Sequence, residues 1–413
     1  MDYSIAKNIV SLFCIQGMNY LIPLITLPYL VRVLGPEGYG GFGFSLAIVQ
    51  YFCLLADYGF NLSITQKVAI ERNNKKEVSR IFWNVLSCKF LLALSGLMLL
   101  YMATSLIESL HQYEGFLFFS YLLVFGNVLF PIWLFQGKEK MGWIALSNIM
   151  ARLSAVPLIF IFVNGNNDVW IASLITGLTA ILAGLLGLFF VYQQGWVSWY
   201  APSWYNIKNE LKDGWYVFIS SAAGSLYINS TPVILGFIAG PTAVGFFVAA
   251  DKLRLAVQGL FSPVSQVFFP RINSIMAKDK LAAFKMIRFL LKAQGTVAAL
   301  LGFCLFVFST PLIEFIYGNK YQDSISVLHW LAWLPFIVGI SNIFGVQTIL
   351  VLGMKKKLSN IYVCAGVVNI FVLILLASFF QEEGAAISIF FTETLVVISM
   401  LCIIIRNKVP LFS

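Results

Sequence analysis

Charge is scarce in this chain. Only 11% of its 413 residues are Asp, Glu, Lys or Arg, while 60% are hydrophobic. An ordinary soluble domain carries about a quarter charged residues, so a water-solvated globule is excluded. Histidine is scarcer still. His111 and His329 are the only two, and they match no zinc-ligand spacing. The six cysteines (Cys14, Cys53, Cys88, Cys304, Cys364, Cys402) sit in apolar stretches at unrelated spacings. That excludes a disulfide framework and a CxxC-type metal site, and leaves them as small buried hydrophobes. No GxxxxGK[ST] loop is present to cradle nucleotide phosphates. Period-two alternation is missing, which argues against a β-barrel. No small-residue cleavage site follows the first apolar run, which is too long for a signal-peptide core and reads as the first span.

What the chain has instead is length in hydrocarbon. Mean hydropathy is +0.86. Apolar windows recur at 9–31, 40–66, 81–104, 115–136, 142–163, 169–192, 214–238, 245–270, 286–310, 325–352, 359–379 and 384–405. Each suffices to cross about 30 Å of hydrocarbon at about 1.5 Å per residue. The expected fold is all-α, with about twelve transmembrane helices. The net charge of +9 is a topology signal rather than a nucleic-acid footprint. With the N-terminus inside, 21 of the 27 Lys and Arg fall in cytoplasmic segments, four fall inside spans, and only Arg32 and Lys320 fall outside. This positive-inside bias predicts both termini in the cytoplasm. The loops outside are short, a poor place for an active site, so an enzyme is not expected.

The longest polar interruption near the centre, 193–213, is expected to be a cytoplasmic linker between six-helix lobes at 1–192 and 214–413. Within it, Trp204–Lys212 reads as a short helix lying on the membrane surface. The lobes echo one another. Leu34-Gly35-Pro36-Glu37-Gly38-Tyr39-Gly40 is matched by Ala239-Gly240-Pro241-Thr242-Ala243-Val244-Gly245, each read as an outer loop. Gly137-Lys138-Glu139-Lys140 is echoed later by Gly353-Met354-Lys355-Lys356. Parallel repeats of this kind occur in alternating-access transporters. Pro23, Pro28, Pro131, Pro157, Pro232, Pro263 and Pro335 fall inside spans. Each permits a bend, and at Pro23, Pro28 and Pro232 gating bends and ordinary kinks are equally good readings.

Four cations fall inside the spans: Lys89, Arg152, Lys252 and Arg254. Each costs about 2.5–3.5 kcal/mol on insertion scales, so such a residue faces a cavity, a partner or a pathway. Helical spacing collects polar residues into stripes: Gln50, Asp57, Asn61 and Thr65; Asp251, Arg254, Gln258, Ser262 and Ser265; Asn148 with Arg152; Ser221, Ser225 and Asn229; Gln16 with Asn19. Arg152 and Arg254 lie about 15 Å and 14 Å into their spans, near the midplane. Asn61, Asn148, Asn229 and Gln258 are the candidate cleft-lining amides. For Lys89, snorkelling to the interface competes with a binding role. For Arg254, the rival is a structural pair with Asp251, which leaves Lys252 unneutralised. Asp57, Asp251 and Glu393 are candidates for proton or ion coupling, since desolvation raises a carboxyl pKa. For Glu393 a protonated structural hydrogen bonder is an even alternative.

Leu27-Pro28-Tyr29-Leu30-Val31-Arg32-Val33-Leu34-Gly35-Pro36-Glu37-Gly38-Tyr39-Gly40 resembles the signature of the polysaccharide transporter family. Asp57-Tyr58-Gly59-Phe60-Asn61, leading into Thr65-Gln66-Lys67, resembles its second motif. The family includes Wzx-type O-antigen flippases, within the MOP superfamily that also holds MATE exporters and the lipid II flippase. The resemblance implies a V-shaped, two-lobed carrier in the bacterial cytoplasmic membrane. It implies an undecaprenyl-pyrophosphate-linked oligosaccharide as substrate and membrane lipid as surroundings, with a polysaccharide polymerase and a chain-length regulator as partners. It implies no cofactor beyond coupling to an H+ or Na+ gradient, and it makes Arg32 a motif residue. On this reading Arg32, Lys89, Arg152, Lys252 and Arg254 hold the anionic headgroup. Two rival readings are a multidrug cation exporter, which wants anionic midplane residues, and a non-transporting partner in a polysaccharide assembly complex.

Overall fold

The computed structural model describes the backbone of residues 3–411. It describes side chains from 25 to 411, apart from 220, 223, 224, 226–228 and 263. The expectations for Cys14, Gln16, Asn19, Pro23 and the Pro263 ring lie outside the described residues. Every regular element described is helical. In hydrocarbon this is what the backbone requires, because a helix satisfies its own N–H and C=O groups.

The first part of the chain runs α1 (Tyr3–Asp57), α2 (Phe60–Ile70), α3 (Lys75–Leu106), α4 (Glu108–His111), α5 (Glu114–Leu129), α6 (Ile132–Gly137), α7 (Gly142–Phe162) and α8 (Val169–Gln193). The second runs α9 (Trp204–Gly259), α10 (Ser262–Met276), α11 (Lys280–Val307), α12 (Ser309–Tyr317), α13 (Asp323–Leu331), α14 (Leu334–Phe344) with a π-helical extension Gly345–Leu350, and α15 (Lys355–Arg406). Among the described residues, nine helical segments are long and apolar enough to cross a membrane. Three of these contain a backbone break that divides them, at Gly35, Gly240 and Gln381. Six of the twelve windows read from the sequence (40–66, 81–104, 115–136, 169–192, 359–379 and 384–405) fall inside these segments, those at 142–163, 286–310 and 325–352 overrun one end by one to three residues, and those at 9–31, 214–238 and 245–270 overlap them in part.

The breaks correct several expectations. The two Gly-Pro segments are not loops. Gly35 (φ 67°) and Gly240 (φ 82°) each turn the chain in a single residue, and the following proline starts the next helix. Glycine tolerates the positive φ, and proline's fixed φ and missing N–H suit a first helical turn. The expected surface helix at Trp204–Lys212 is the opening of α9, continuous up to Gly240. The stripe through Gln50, Asp57, Asn61 and Thr65 is interrupted, because Tyr58 (φ 47°) and Gly59 (φ 74°) separate α1 from α2. The stripe through Asp251 to Ser265 is interrupted at 260–261, between α9 and α10. Pro131 and Pro335 sit at helix starts, whereas Pro157 is carried inside α7. Cys53 and Cys88 are buried as expected, but Cys304, Cys364 and Cys402 are exposed, on helices whose surfaces are apolar.

The repeat seen in sequence extends to these devices. Gly35 and Gly240 are 205 residues apart, and so are the starts of α3 and α11. Both of those helices are N-capped by a side-chain oxygen, Asn74 for Glu77 N and Asp279 for Leu281 N and Ala282 N.

By Cα proximity the chain forms two units, Val33–Val233 on one hand and Met1–Arg32 with Ile234–Ser413 on the other. In the first, α2, α3 and α6 bury Phe60, Ile64, Phe82, Val85, Trp133 and Phe135 together. Residues 194–203 strap across α3. Ser198 N and Ser203 N donate to Ser79 Oγ and Asn84 Oδ1, and Trp83 Nε1 donates to Ser198 O. Lys67 then ties α2 to the start of α9 through Glu210 (2.6 Å) and Asp213 (2.8 Å). Between the spans, Arg72 Nη2 donates to Lys138 O, and burial together with Arg72 pushes the Lys138 ammonium pKa down. In the second unit, α10, α11, α14 and α15 bury Ile272, Phe284, Ile287, Phe344, Val396 and Met400.

Helices α5 and α8 pack closely. A Cβ at Gly126 would meet Ala180 backbone carbon at 2.4 Å, and one at Gly184 would meet Leu129 Cβ at 2.7 Å. Small residues are the usual means of close packing in lipid, where no hydrophobic driving force acts between helices. Gly126→Val should therefore lower the thermal stability of the detergent-purified protein, by at least about 1–3 kcal/mol. Gly115→Ala, where an added Cβ meets nothing within 4 Å, should not. Equal melting of the two variants, followed by size-exclusion fluorescence, would contradict the packing.

Candidate functional site

The buried cation Lys89 is held where two helices break. Asp57 closes α1. Helix α5 stops at Leu129 because Pro131 cannot donate, which leaves the Asn127 carbonyl without its partner four residues on. Lys89 rises from α3 into this place and is only 1% exposed. Its Nζ lies 3.1 Å from Asp57 Oδ1 and 3.4 Å from both Asn127 O and Asn127 Oδ1. Asn61 Nδ2 donates to the other Asp57 oxygen at 2.9 Å, while Asn61 Oδ1 is buried with no hydrogen-bond partner. Both helix ends bring partial negative charge, which favours the ammonium. Lys89 is therefore not snorkelling; it is bonded inward. Within this unit the structure joins Asp57, Asn61 and Lys89 into one cluster and adds Asn127, which sequence reading missed. The signal was present in the proline four residues after Asn127.

Tyr58 and Gly59 fix the break. Tyr58 stacks on Phe218 at 4.7 Å with rings 8° apart. A Cβ at Gly59 would meet Val217 at 2.7 Å. The left-handed backbone there is thus set by contact with α9 as well as by glycine's freedom.

The second cluster lies on α9 beyond Gly240. Arg254 Nε donates to Asp251 Oδ1 at 2.7 Å and Nη1 to Gln258 Oε1 at 2.5 Å. The pair that competed with a binding role is formed. Lys252, the next residue but one before Arg254, is exposed. With Asp251 matched to Arg254, the segment keeps one net positive charge.

The remaining candidates are not drawn into these clusters. Asn148 turns its amide back to Ile144 O, Asn229 donates to Ser225 Oγ, and Arg152 is half-buried on α7. Arg32 is exposed and donates to Ile316 O at 2.9 Å and to Phe315 O, capping the last turn of α12. The neighbouring Val31 carbonyl accepts from Tyr321 Oη. Glu393 is half-buried on α15, beside the Asn369–Thr392 hydrogen bond. Sequence reading also missed Gln347. It is buried in the π-helical turn and donates to Ser265 O and Oγ, while its Oε1 has no hydrogen-bond partner. Single-turn π segments often mark functional sites. Among the described residues, no group of His, Cys, Asp and Glu side chains is arranged to hold a metal.

The fold is shared with membrane transporters. An inward-facing MATE-family multidrug resistance transporter of the MOP superfamily superposes with a TM-score of 0.77, covering 95% of this chain and 94% of its own, at 16% identity. The lipid II flippase MurJ superposes at 0.74, covering 95% and 87%, also at 16% identity. These define the class: an all-helical, multi-pass membrane protein with the MOP transporter fold. Residues 5–276 match the family described as polysaccharide biosynthesis protein. A protein of Escherichia coli (strain K12) named "Putative O-antigen transporter" is 38% identical over 98% of both chains. The chain belongs to the polysaccharide biosynthesis protein family.

Removing one member of the Lys89 pair should expose its cost. Lys89→Met leaves the Asp57 carboxylate without its cation and should destabilise the protein by about 3–5 kcal/mol. Asp57→Asn combined with Lys89→Met should recover most of that loss. A double-mutant cycle on thermal stability in detergent checks it, and strict additivity would show that the two do not interact.

Proposed function

We propose that this protein is a flippase. It moves undecaprenyl-pyrophosphate-linked oligosaccharide repeat units, of O-antigen or a similar surface polysaccharide, across the bacterial cytoplasmic membrane by alternating access. The observation that carries this reading is the placement of cations within apolar spans of a transporter fold, in a chain similar end to end to a protein named as an O-antigen transporter. A pyrophosphate bearing sugars suits such a lining. Guanidinium and ammonium groups make charge-assisted bonds to phosphate oxygens, and amides serve the hydroxyls.

In this reading the six-span halves 1–192 and 214–413, joined by 193–213, alternate in access while both termini stay in the cytoplasm. Lys252, Arg254 and Arg152 attract the headgroup. The Lys89–Asp57 pair and the Arg254–Asp251 pair are two-state elements: an arriving phosphate or a proton on the carboxylate competes for the same cation. Asp57, Asp251 and Glu393 are the groups through which an H+ or Na+ gradient acts. Arg32 contributes by holding α12 to the first helix segment. The repeat units then pass to a polysaccharide polymerase and a chain-length regulator.

The test is flipping in a host from which the gene is deleted. At matched expression, wild type should restore surface polymer. Arg152→Ala and Arg254→Ala should each reduce it, about tenfold for loss of roughly 1.4 kcal/mol of headgroup interaction, with lipid-linked intermediates accumulating inside. Full polymer with both arginines removed would sink the anion-binding model. Drug efflux by the wild type without any polymer would favour a multidrug exporter.

A further inference from the structure

A crevice runs between the ninth and tenth spans, and none of the cations of the two clusters above lines it. Helix α11 forms one wall. Trp333 and α14 form the other wall at one end, and Leu352, Met354 and residues 407–410 after α15 form it at the other. Two cavities follow one another along these elements. The first, about 720 Å³, is lined by three cations, Lys280, Arg288 and Lys408, together with Asn407 and no acid. Arg288 Nε donates to Phe284 O, and Asn407 Oδ1 accepts from Lys357 Nζ, which brings a further cation close by. The second, about 670 Å³, is apolar. Lys292 is its only charged lining residue, and Phe303, Trp333, Phe336 and Phe344 supply aromatic surface.

On α11 the lining residues Leu281, Phe284 and Arg288 lead at steps of three and four to Leu291, Gly295 and Ala299. Such steps keep to one helix face. A molecule lying along that face passes from a basic chamber into an apolar groove. The groove has an open floor, since a Cβ at Gly295 would meet nothing within 4 Å. From Lys292 to Phe303 it runs about 16 Å at 1.5 Å per residue, close to half the roughly 30 Å of hydrocarbon.

We propose that this crevice is a loading site for a polyprenyl pyrophosphate lipid, with the pyrophosphate in the basic chamber and the start of the polyprenyl chain in the groove. The proposal rests on the flippase reading and names where its substrate first binds. Three cations with no acid exceed what one phosphate of a phospholipid needs and suit the higher charge of a pyrophosphate. One groove suits one chain rather than a diacyl pair. The positive-inside pattern puts Lys280, Arg288 and Lys408 at the cytoplasmic face, the side from which the lipid is taken. Lys292 stands where chamber and groove meet, able to follow the phosphate as it moves inward along its flexible stem.

The full-length protein in nanodiscs of phosphatidylethanolamine and phosphatidylglycerol, labelled with a diazirine-bearing polyprenyl pyrophosphate, tests this. Crosslinks should fall in α11 and α14 and be displaced by undecaprenyl pyrophosphate but not by added phosphatidylglycerol. Gly295→Phe, which fills the groove, and the double change Lys280→Glu with Lys408→Glu should each cut labelling about tenfold. Gly295→Ala, adding one methyl to open space, reports on folding and should label nearly as wild type. Unchanged labelling in Gly295→Phe, or equal displacement by phosphatidylglycerol, would overturn the site and leave an ordinary lipid-facing furrow. If wild type restores surface polymer in the deletion host while labelling fails, only the loading site falls. If wild type restores no polymer, the flippase reading falls and takes the site with it.

Discussion

A charge inside hydrocarbon must be answered by something close to it, and the local architecture around Lys89 follows from that demand. Its ammonium is 1% exposed. No water shell is at hand, so Asp57 and the Asn127 carbonyl replace it. Those partners exist only because two helices stop where they do. Asp57 ends α1 before a left-handed pair of residues, and Asn127 precedes a proline that cannot donate. Here the broken backbone and the buried cation satisfy each other. Either alone would be costly, since an unpaired polar group in an apolar medium loses several kcal/mol.

The same economy recurs in the second half of the chain with different side chains. Its second span also breaks, at 260–261, and its charge is also matched nearby, Arg254 lying between Asp251 and Gln258 one turn to either side. Here the answer is local to one helix, whereas Lys89, on α3, draws partners from two others. The repeat conserves the turns at Gly35 and Gly240 and the capped starts of α3 and α11. It leaves the chemistry of the charges free to differ.

The aromatic and glycine content does the remaining packing. Tyr58 on Phe218, Trp83 on Trp199 and the Gly126–Ala180 approach hold helices together where lipid gives no hydrophobic push. The strap at 194–203 and the Lys67–Glu210–Asp213 ties fix the opening of α9 to α2 and α3. That long helix begins in one compact unit and ends in the other, as does α1. Its continuity explains why the tryptophan-rich segment at 204 does not settle as a separate surface helix. Once Trp204 starts a helix, nothing breaks it before Gly240.

Much of this was legible without coordinates. Apolar length set the helical class and the positions of the spans, because crossing hydrocarbon requires it. The Gly-Pro pair marked the repeat, because a left-handed glycine followed by proline is a local backbone signal. Asp251, Arg254 and Gln258 were readable as neighbours since helical spacing alone brings them together. Lys89 was not, because its partners come from α1 and α5, residues apart in sequence and near only after packing. The same holds for Gln347 beside Ser265, for Arg32 on the end of α12, and for the basic chamber that gathers Lys280, Arg288 and Lys408. Sequence by itself determined which residues would lie in the membrane and which would be expensive there, since burial in lipid depends on composition along the chain. Only tertiary structure decided which partner answers each charge, since that depends on where helices stop and which ends meet.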